Sequence, residues 1–420
     1  MKKSSIHAPS FKMVSLMMFL GLYVIVATGI IGRLIKRTSK PVVGGQLSDT
    51  PKLNEMILRN EKISDSRETN PSAIVSSKQT IKATIYSCNT QNATDDLPGY
   101  HYLTKRALHG VIIGAMKGGT QALHKILLGH PKVLSTGMKH GEWHFFNRPN
   151  LGNSAYNIPR QNIRDEFETI LRNREGFRPV NDIVRDGNND KFGIHSAPIY
   201  LFSGRMVPAR ILCVAPWAKF LAILRNPIDR ALSHYNFVKV WTGKRYDGVR
   251  PSFVQYVKDD IQLLKKAGVL RDWTSTDFVK FAGSPEEFRS WENYLRLANF
   301  HGPVGRGLYA IQLEIWADEF RKFGKSFKEN ILVLRSEESK ENARYAYERA
   351  TEFFGLEPQT IHNHTLEKDH HPTIYNHPDI PDDIYNELYE LYRPYNGRLY
   401  KLLGEDEWAG VWDDGEIESR

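Results

Sequence analysis

The stretch GVIIGAMKGGTQAL, Gly110–Leu123, constrains the fold more than any other part of the chain. Gly110–Ile113 has the length and apolar character of a buried strand. Glycines follow at 114, 118 and 119, and Thr120–Leu128 then reads as a helix that stops near Gly129-His130-Pro131. A strand, a glycine loop and a helix in that order open a parallel α/β sheet. In such a unit the loop amides and the positive end of the helix face an anion. The lysine is out of place for a nucleoside triphosphate. That loop, G-x-x-x-x-G-K-[ST], carries its lysine directly before the hydroxyl residue. Here Lys117 comes early and Gly119 precedes Thr120. In this reading Gly118 and Gly119 allow close approach of the backbone, Lys117 supplies charge and Thr120 a hydroxyl. On the loop alone, an ordinary glycine-containing turn fits equally well.

A second stretch, ILRNPIDRALSHYNF (Ile223–Phe237), tips that balance. Phe220–Leu224 reads as another buried strand, with Arg225 at its end and a helix over Pro227–Val240. Arg230 and Ser233 follow on successive turns. Parallel sheets bind ligands where strand ends face helix starts. Arg225 with Ser233 two turns on gives a second anion site beside the first. A nucleotide with phosphates on both sides of its ribose fits two such sites better than a triphosphate does.

Further strand and helix signals extend the pattern. Asn330–Leu334 reads as a third strand, Glu337–Phe354 as an amphipathic helix and Pro381–Leu403 as a helix that Pro394 should break or kink. The tyrosines of that last segment read as packing residues. Apolar runs alternating with amphipathic stretches from about Ala107 onward predict an α/β domain with a central parallel sheet. A chain of 420 residues with 41% hydrophobic content is ample for such a core. Before it, Met13–Ile31 has no charged residue and as a helix spans about 28 Å, close to the bilayer core. The run exceeds a usual signal-peptide core, which favours a retained transmembrane helix. Residues 32–106 are polar and read as a stem, with some local helix at Lys52–Glu61. Basic residues flank the span on both sides, so charge bias leaves its orientation open. Asn92 and Asn363 head glycosylation sequons. The two cysteines, Cys88 and Cys213, exclude a disulfide-rich scaffold and a cysteine zinc site without deciding the redox compartment. A formal net charge of +9 favours an anionic partner: nucleic acid, acidic lipid or an acidic polymer.

The two motifs, in this order and spacing, resemble those of carbohydrate sulfotransferases that use 3′-phosphoadenylyl sulfate (PAPS), most of all the heparan sulfate glucosaminyl N- and 3-O-sulfotransferases. The similarity continues through GLYAIQLEIW (Gly307–Trp316), ILVLRSEE (Ile331–Glu338) and LYRPYNGRLYKLLG (Leu391–Gly404). It implies a P-loop-like, three-layer α/β fold over residues 107–420. It also implies a cytoplasmic tail at 1–12, a type II Golgi anchor at 13–31 and a lumenal catalytic domain. The implied donor is PAPS, with no metal. The implied acceptor is an anionic glycan, with no nucleic-acid partner. Gly114–Thr120 then holds the 5′-phosphosulfate, through Lys117, Gly118, Gly119 and Thr120. Arg225 and Ser233 hold the 3′-phosphate.

The resemblance also supplies a base. KHGEWHFF (Lys139–Phe146) matches the family's E-x-H-F-F stretch, which makes Glu142 the catalytic base and His144 its orienting partner. By spacing alone Glu142 reads as a solvated loop carboxylate and His144 as a packing histidine; the register with the loop motif reverses this. Two features depart from the family. HSAPIY (His195–Tyr200) stands where E-K-[ST]-P-x-Y is usual, so the expected lysine is Ser196 and the glutamate is His195. His195 is then either a cation or proton shuttle, or a structural residue. EKDHHPTIY (Glu367–Tyr375) occupies the place of a cysteine-closed loop, with Lys368 and His370 as donor contacts. The histidines from His362 to His377 lack zinc-site spacing and read as a solvated loop. Other classes remain: a P-loop NTPase, which needs a lysine in place of Gly119; a tyrosylprotein or other-glycan sulfotransferase; and an inactive, membrane-anchored glycan-binding protein.

Overall fold

The structure, a computed structural model, describes residues 107–136, 142, 144–147, 163, 167, 191–241, 251–272, 274–298, 302–357, 359, 366 and 380–413. In chain order these form β1 (Gly110–Gly114), α1 (Thr120–Leu127), β2 (Val133–Ser135), β3 (Phe192–Ser196), α2 (Met206–Val214), β4 (Lys219–Leu224), α3 (Pro227–Trp241), α4 (Phe253–Ala267), α5 (Ser275–Phe281), α6 (Pro285–Ala298), a short 3-10 turn at Gly305–Gly307, α7 (Tyr309–Lys322), α8 (Phe327–Asn330), β5 (Ile331–Arg335), α9 (Ser336–Glu341), α10 (Ala343–Phe354), α11 (Asp382–Leu403) and α12 (Glu405–Trp408). The five strands make one sheet in the order β2-β3-β1-β4-β5. Each neighbouring pair is parallel.

Side chains alternate across a strand, so a sheet covered on both faces divides each strand between two cores. That division is seen here. Val111, Ile113, Phe220, Ala222 and Leu224 pack with Ile211 of α2 and Leu313, Trp316 and Phe320 of α7. Ile112, Leu221, Ile223 and Leu334 pack with Leu123 and Leu127 of α1 and Ala346, Tyr347 and Ala350 of α10. The result is the expected three-layer α/β arrangement. A third cluster joins α3, α4, α6, α7 and α11 around Trp291, Tyr294 and Tyr392.

Two expectations are met only in part. Pro394 lies inside α11, which runs without a break from Asp382 to Leu403. Proline removes one helix hydrogen bond, but Leu388, Tyr392, Tyr395 and Leu399 on either side are buried. Tyr392 donates to Val304 O at 2.9 Å and Tyr395 to Val269 O at 3.3 Å. These tertiary anchors outweigh the local defect. The helix expected over Glu337–Phe354 is two helices, because Asn342 leaves the helical conformation and caps α10, its side chain accepting from Tyr345 N at 3.0 Å.

Cys213 is disulfide-bonded; the other cysteine, Cys88, lies outside the described residues. Among the described residues no helix is long and apolar enough to cross a membrane. The expected span at 13–31, the stem at 32–106 and both sequons lie outside them.

Candidate functional site

The loop after β1 is docked on β4. Ala115 N donates to Ile223 O at 2.9 Å, and Gly118 N turns back to Ala115 O at 2.9 Å. A Cβ on Gly118 would lie 2.4 Å from that same Ile223 oxygen, so the position admits glycine alone. Gly119 caps α1 in the left-handed region, at φ 98°. The positive end of α1 thus carries no side-chain cap and no acidic residue of its own first turn. Thr120, its first residue, is buried.

Lys117 projects from the loop toward α3. Its Nζ sits 4.8 Å from the ring centroid of Phe237, within cation–π range. Burial lowers the Lys117 pKa, and the charge of Arg225 lowers it further. The two cations come from the C-terminal ends of the neighbouring strands β1 and β4. Arg225 pairs at 3.8 Å with Asp229, one turn into α3. Ser233 is buried one turn beyond Asp229. Arg230, from the same motif, is fully buried and donates to Pro303 O, so it holds the turn before Gly305–Gly307 in place.

The N-terminus of α3 differs from that of α1. Asn226 Oδ1 accepts from Ile228 N at 2.9 Å and from Asp229 N at 3.4 Å. Asn226 N donates to Glu337 Oε1 at 2.7 Å. An anion at this junction therefore meets side chains, Arg225 and Ser233, before it meets the helix backbone.

Glu142 and His144 adjoin the start of α1. Gln121 Nε2 donates to Glu142 Oε1 at 3.3 Å, and His144 Nε2 lies 3.5 Å from Glu142 Oε2. Burial raises the Glu142 carboxyl above the usual range, and the Gln121 bond pulls it partly back. His144 is about half exposed, at 47%. The segment is anchored by its phenylalanines. Phe145 and Phe146 are buried against Phe167, and Phe146 donates from N to Tyr200 Oη at 3.2 Å and accepts at O from Arg210 at 2.8 Å. Tyr200 also bonds His195 Nε2 at 3.1 Å. His195 is buried near the end of β3, and through this bond it supports the tyrosine that holds the Glu142 segment.

Lys117, Gly118, Gly119 and Thr120 thus follow the C-terminal end of β1, with Glu142 beside the start of α1 and His144 beside Glu142, and Arg225 and Ser233 follow β4. Lys368, with His370 and the other histidines of that region, lies outside the described residues. Sequence reasoning assigned no role to Gln121, Phe237, Tyr309 or Glu337. Tyr309 and Glu337 fall inside stretches that carry the resemblance, and only the fold reveals that both meet the turn after β4. Among the described residues no group of three or more His, Cys, Asp or Glu is placed to hold a metal.

Fold and site together define an α/β domain with a central parallel sheet, a cationic residue after each of the neighbouring strands β1 and β4, and a glycine where an NTPase has its lysine. The chain belongs to the sulfotransferase family: residues 109–390 match the sulfotransferase domain. It is similar to human (Homo sapiens) heparan sulfate glucosamine 3-O-sulfotransferase 3A1, 24% identical over 309 residues, covering 73% of this chain and 64% of that protein. It is also similar to human heparan sulfate glucosamine 3-O-sulfotransferase 6, 25% identical over 310 residues, covering 72% of this chain and 73% of that protein. Among solved structures, a sulfotransferase from Alicyclobacillus acidocaldarius aligns with a TM-score of 0.43 at 20% identity, over 72% of this chain and 98% of that one.

Proposed function

We propose that this protein transfers a sulfuryl group from PAPS to a hydroxyl or amino group of a glycan, and that the glycan is heparan-sulfate-like. The observation that carries this reading is the docking of the Lys117 loop on β4 just before Arg225, through Ala115 N to Ile223 O at 2.9 Å. Two like charges from adjacent strand ends are close enough that Arg225 helps to depress the Lys117 pKa. An anion lying between them relieves that repulsion. The start of α1, with no side-chain cap and no acidic residue in its own first turn, provides a third attraction for the same ligand. Lys117, Arg225, Ser233 and the α1 terminus therefore fit a nucleotide with separate 5′ and 3′ anions.

PAPS supplies an activated sulfur–oxygen bond. Lys117 stabilises the charge that develops on the leaving phosphate oxygen as that bond breaks. Thr120 and the Gly118–Gly119 backbone hold the 5′-phosphate, and Arg225 and Ser233 hold the 3′-phosphate. The new bond forms from sulfur to the acceptor oxygen or nitrogen, whose proton passes to Glu142. A raised pKa suits a carboxylate that must accept it. His144 orients Glu142, and Lys368 adds a donor contact.

The names of the relatives and the net charge of +9 support a polyanionic glycan as acceptor. In this reading residues 13–31 are a type II Golgi anchor, 32–106 a stem and 107–420 a lumenal catalytic domain. The disulfide at Cys213 supports an oxidising compartment. The test is incubation of the full chain with sulfur-labelled PAPS and either partly desulfated heparan sulfate or tyrosine-containing peptides. Label on the glycan, with release of adenosine 3′,5′-bisphosphate, is the expected result. Label on peptide alone moves the assignment to a tyrosylprotein sulfotransferase. Glycan binding with no transfer to either leaves an anchored glycan-binding protein.

A further inference from the structure

We infer that Glu337 is a positioning residue that sets the preference of this site for a nucleotide bearing a 3′-phosphate, by fixing the peptide that carries Arg225. The inference rests on the reading of Arg225 as the 3′-phosphate ligand.

The peptide unit between Arg225 and Asn226 is clamped on both edges. Its carbonyl, on Arg225, accepts from Tyr309 Oη at 2.9 Å. Its N–H, on Asn226, donates to Glu337 Oε1 at 2.7 Å. The two clamping residues come from separate elements, the buried first residue of α7 and the second residue after β5. The sheet register explains the meeting. In the parallel β4–β5 pair Leu224 lies opposite Arg335, so two residues further along each chain Asn226 comes level with Glu337.

Such a clamp matters because of what the turn lacks. The first N–H groups of α3, on Ile228 and Asp229, are already taken by Asn226 Oδ1, and the Asn226 N–H before them by Glu337. A 3′-phosphate at this junction depends on the Arg225 and Ser233 side chains, and on where their backbone puts them. Ser233 is fixed within α3, whereas Arg225 stands between strand and helix with its side chain 32% exposed. A loosely held turn would let Arg225 leave the line between Ser233 and Lys117. The carboxylate is retained at a cost. Glu337 Oε2 is buried without a hydrogen-bond partner, beside a site meant for an anion. Its remaining oxygen, at 2.7 Å from Asn226 N, gives a reason for that cost, since a charged acceptor makes a stronger bond to a peptide N–H. Glutamine at this position offers the same acceptor oxygen without the charge.

The test is calorimetric titration of the full chain with adenosine 3′,5′-bisphosphate and with adenosine 5′-phosphate, in the wild type and four variants. Arg225→Ala comes first. If it leaves the preference for the bisphosphate intact, the 3′-phosphate reading fails at its root, and the Glu337 inference with it. If it removes the preference, Glu337→Ala decides the inference. That variant is expected to lose about fivefold or more in bisphosphate affinity while the 5′-phosphate changes less than about twofold. Glu337→Gln is expected to restore most of the loss. Tyr309→Phe, which frees the other edge of the same peptide, is expected to lower the preference in the same direction and decides the matter if Glu337→Ala does not fold. An unchanged preference in these variants, or an equal loss for both nucleotides, overturns the inference.

Discussion

Gln121, the second residue of α1, donates to Glu142 at 3.3 Å and so ties the proposed base to the anion-binding loop. Burial raises the Glu142 pKa and the Gln121 bond lowers it. Glu142 must be ionised to accept a proton, so activity is expected to fall as pH drops through this raised pKa. Removing the bond in Gln121→Ala raises the pKa further. The acidic limb of the kcat/KM profile should therefore move to higher pH, and a shift to lower pH would remove Glu142 from the role of base. Glu142→Gln should lower kcat by about a hundredfold or more while bisphosphate affinity persists.

Lys117 must carry its proton to stabilise a leaving phosphate, so activity should fall as pH rises through its pKa. Burial and then Arg225 depress that pKa. Arg225→Ala removes the second cause, and the alkaline limb of kcat/KM should move upward even as donor affinity falls. Lys117→Ala should lower turnover by about a hundredfold or more, which steady-state assays at saturating donor will show. An unshifted alkaline limb in Arg225→Ala would mean that the two cations do not interact across the site.

Two half-buried histidines, His109 and His124, make the fold acid-sensitive. His109 and His124 are each pushed down to about 4 by burial. His109 Nδ1 accepts from Gly193 N at 3.0 Å and favours the neutral ring. In the unfolded chain both groups protonate near the ordinary value of 6.5. The unfolded state thus binds more protons between those values, and stability should decline as pH falls from about 6.5 to about 4, by at most roughly 3 kcal/mol per histidine. Urea unfolding across that window measures the slope. His124→Leu should flatten it.

Arg398 of α11 makes a two-pronged contact with Glu287 of α6, at 2.7 and 2.8 Å, and reaches Glu314 of α7 from Nε at 3.2 Å. The Glu287 side chain is 0% exposed. Arg398→Ala strands this carboxylate and should cost about 3–5 kcal/mol, read from the urea midpoint. Replacing both partners, as in Arg398→Met with Glu287→Leu, should recover part of that loss. A double variant no more stable than the single one would show that the pair itself, and not the stranded charge, sets the cost.

Much of the sheet was legible because buried parallel strands are short apolar runs followed by diagnostic turns. Gly110–Ile113, Phe220–Leu224 and Asn330–Leu334 match β1, β4 and β5 within a residue at each end. The helices that follow β1 and β4 were legible for the same reason. The break allowed for at Pro394 does not occur, because local preference carries no knowledge of Tyr392 and Tyr395 anchoring the helix around it. The loop glycines were recognised, but Gly118 serves a contact with Ile223 O on a strand distant in sequence. The clamp of Tyr309 and Glu337 on one peptide of the turn after β4 was illegible for a related reason. It depends on the β4–β5 register and on the start of α7, which no local pattern encodes.

The central claim is that this site takes a bisphosphate nucleotide and not a nucleoside triphosphate. Calorimetric titration of the full chain with adenosine 3′,5′-bisphosphate, beside ATP with magnesium, tests it most directly. The account predicts metal-independent binding of the bisphosphate, weakened in Arg225→Ala and in Ser233→Ala, with ATP bound far more weakly. Tighter binding of magnesium–ATP than of the bisphosphate would contradict it.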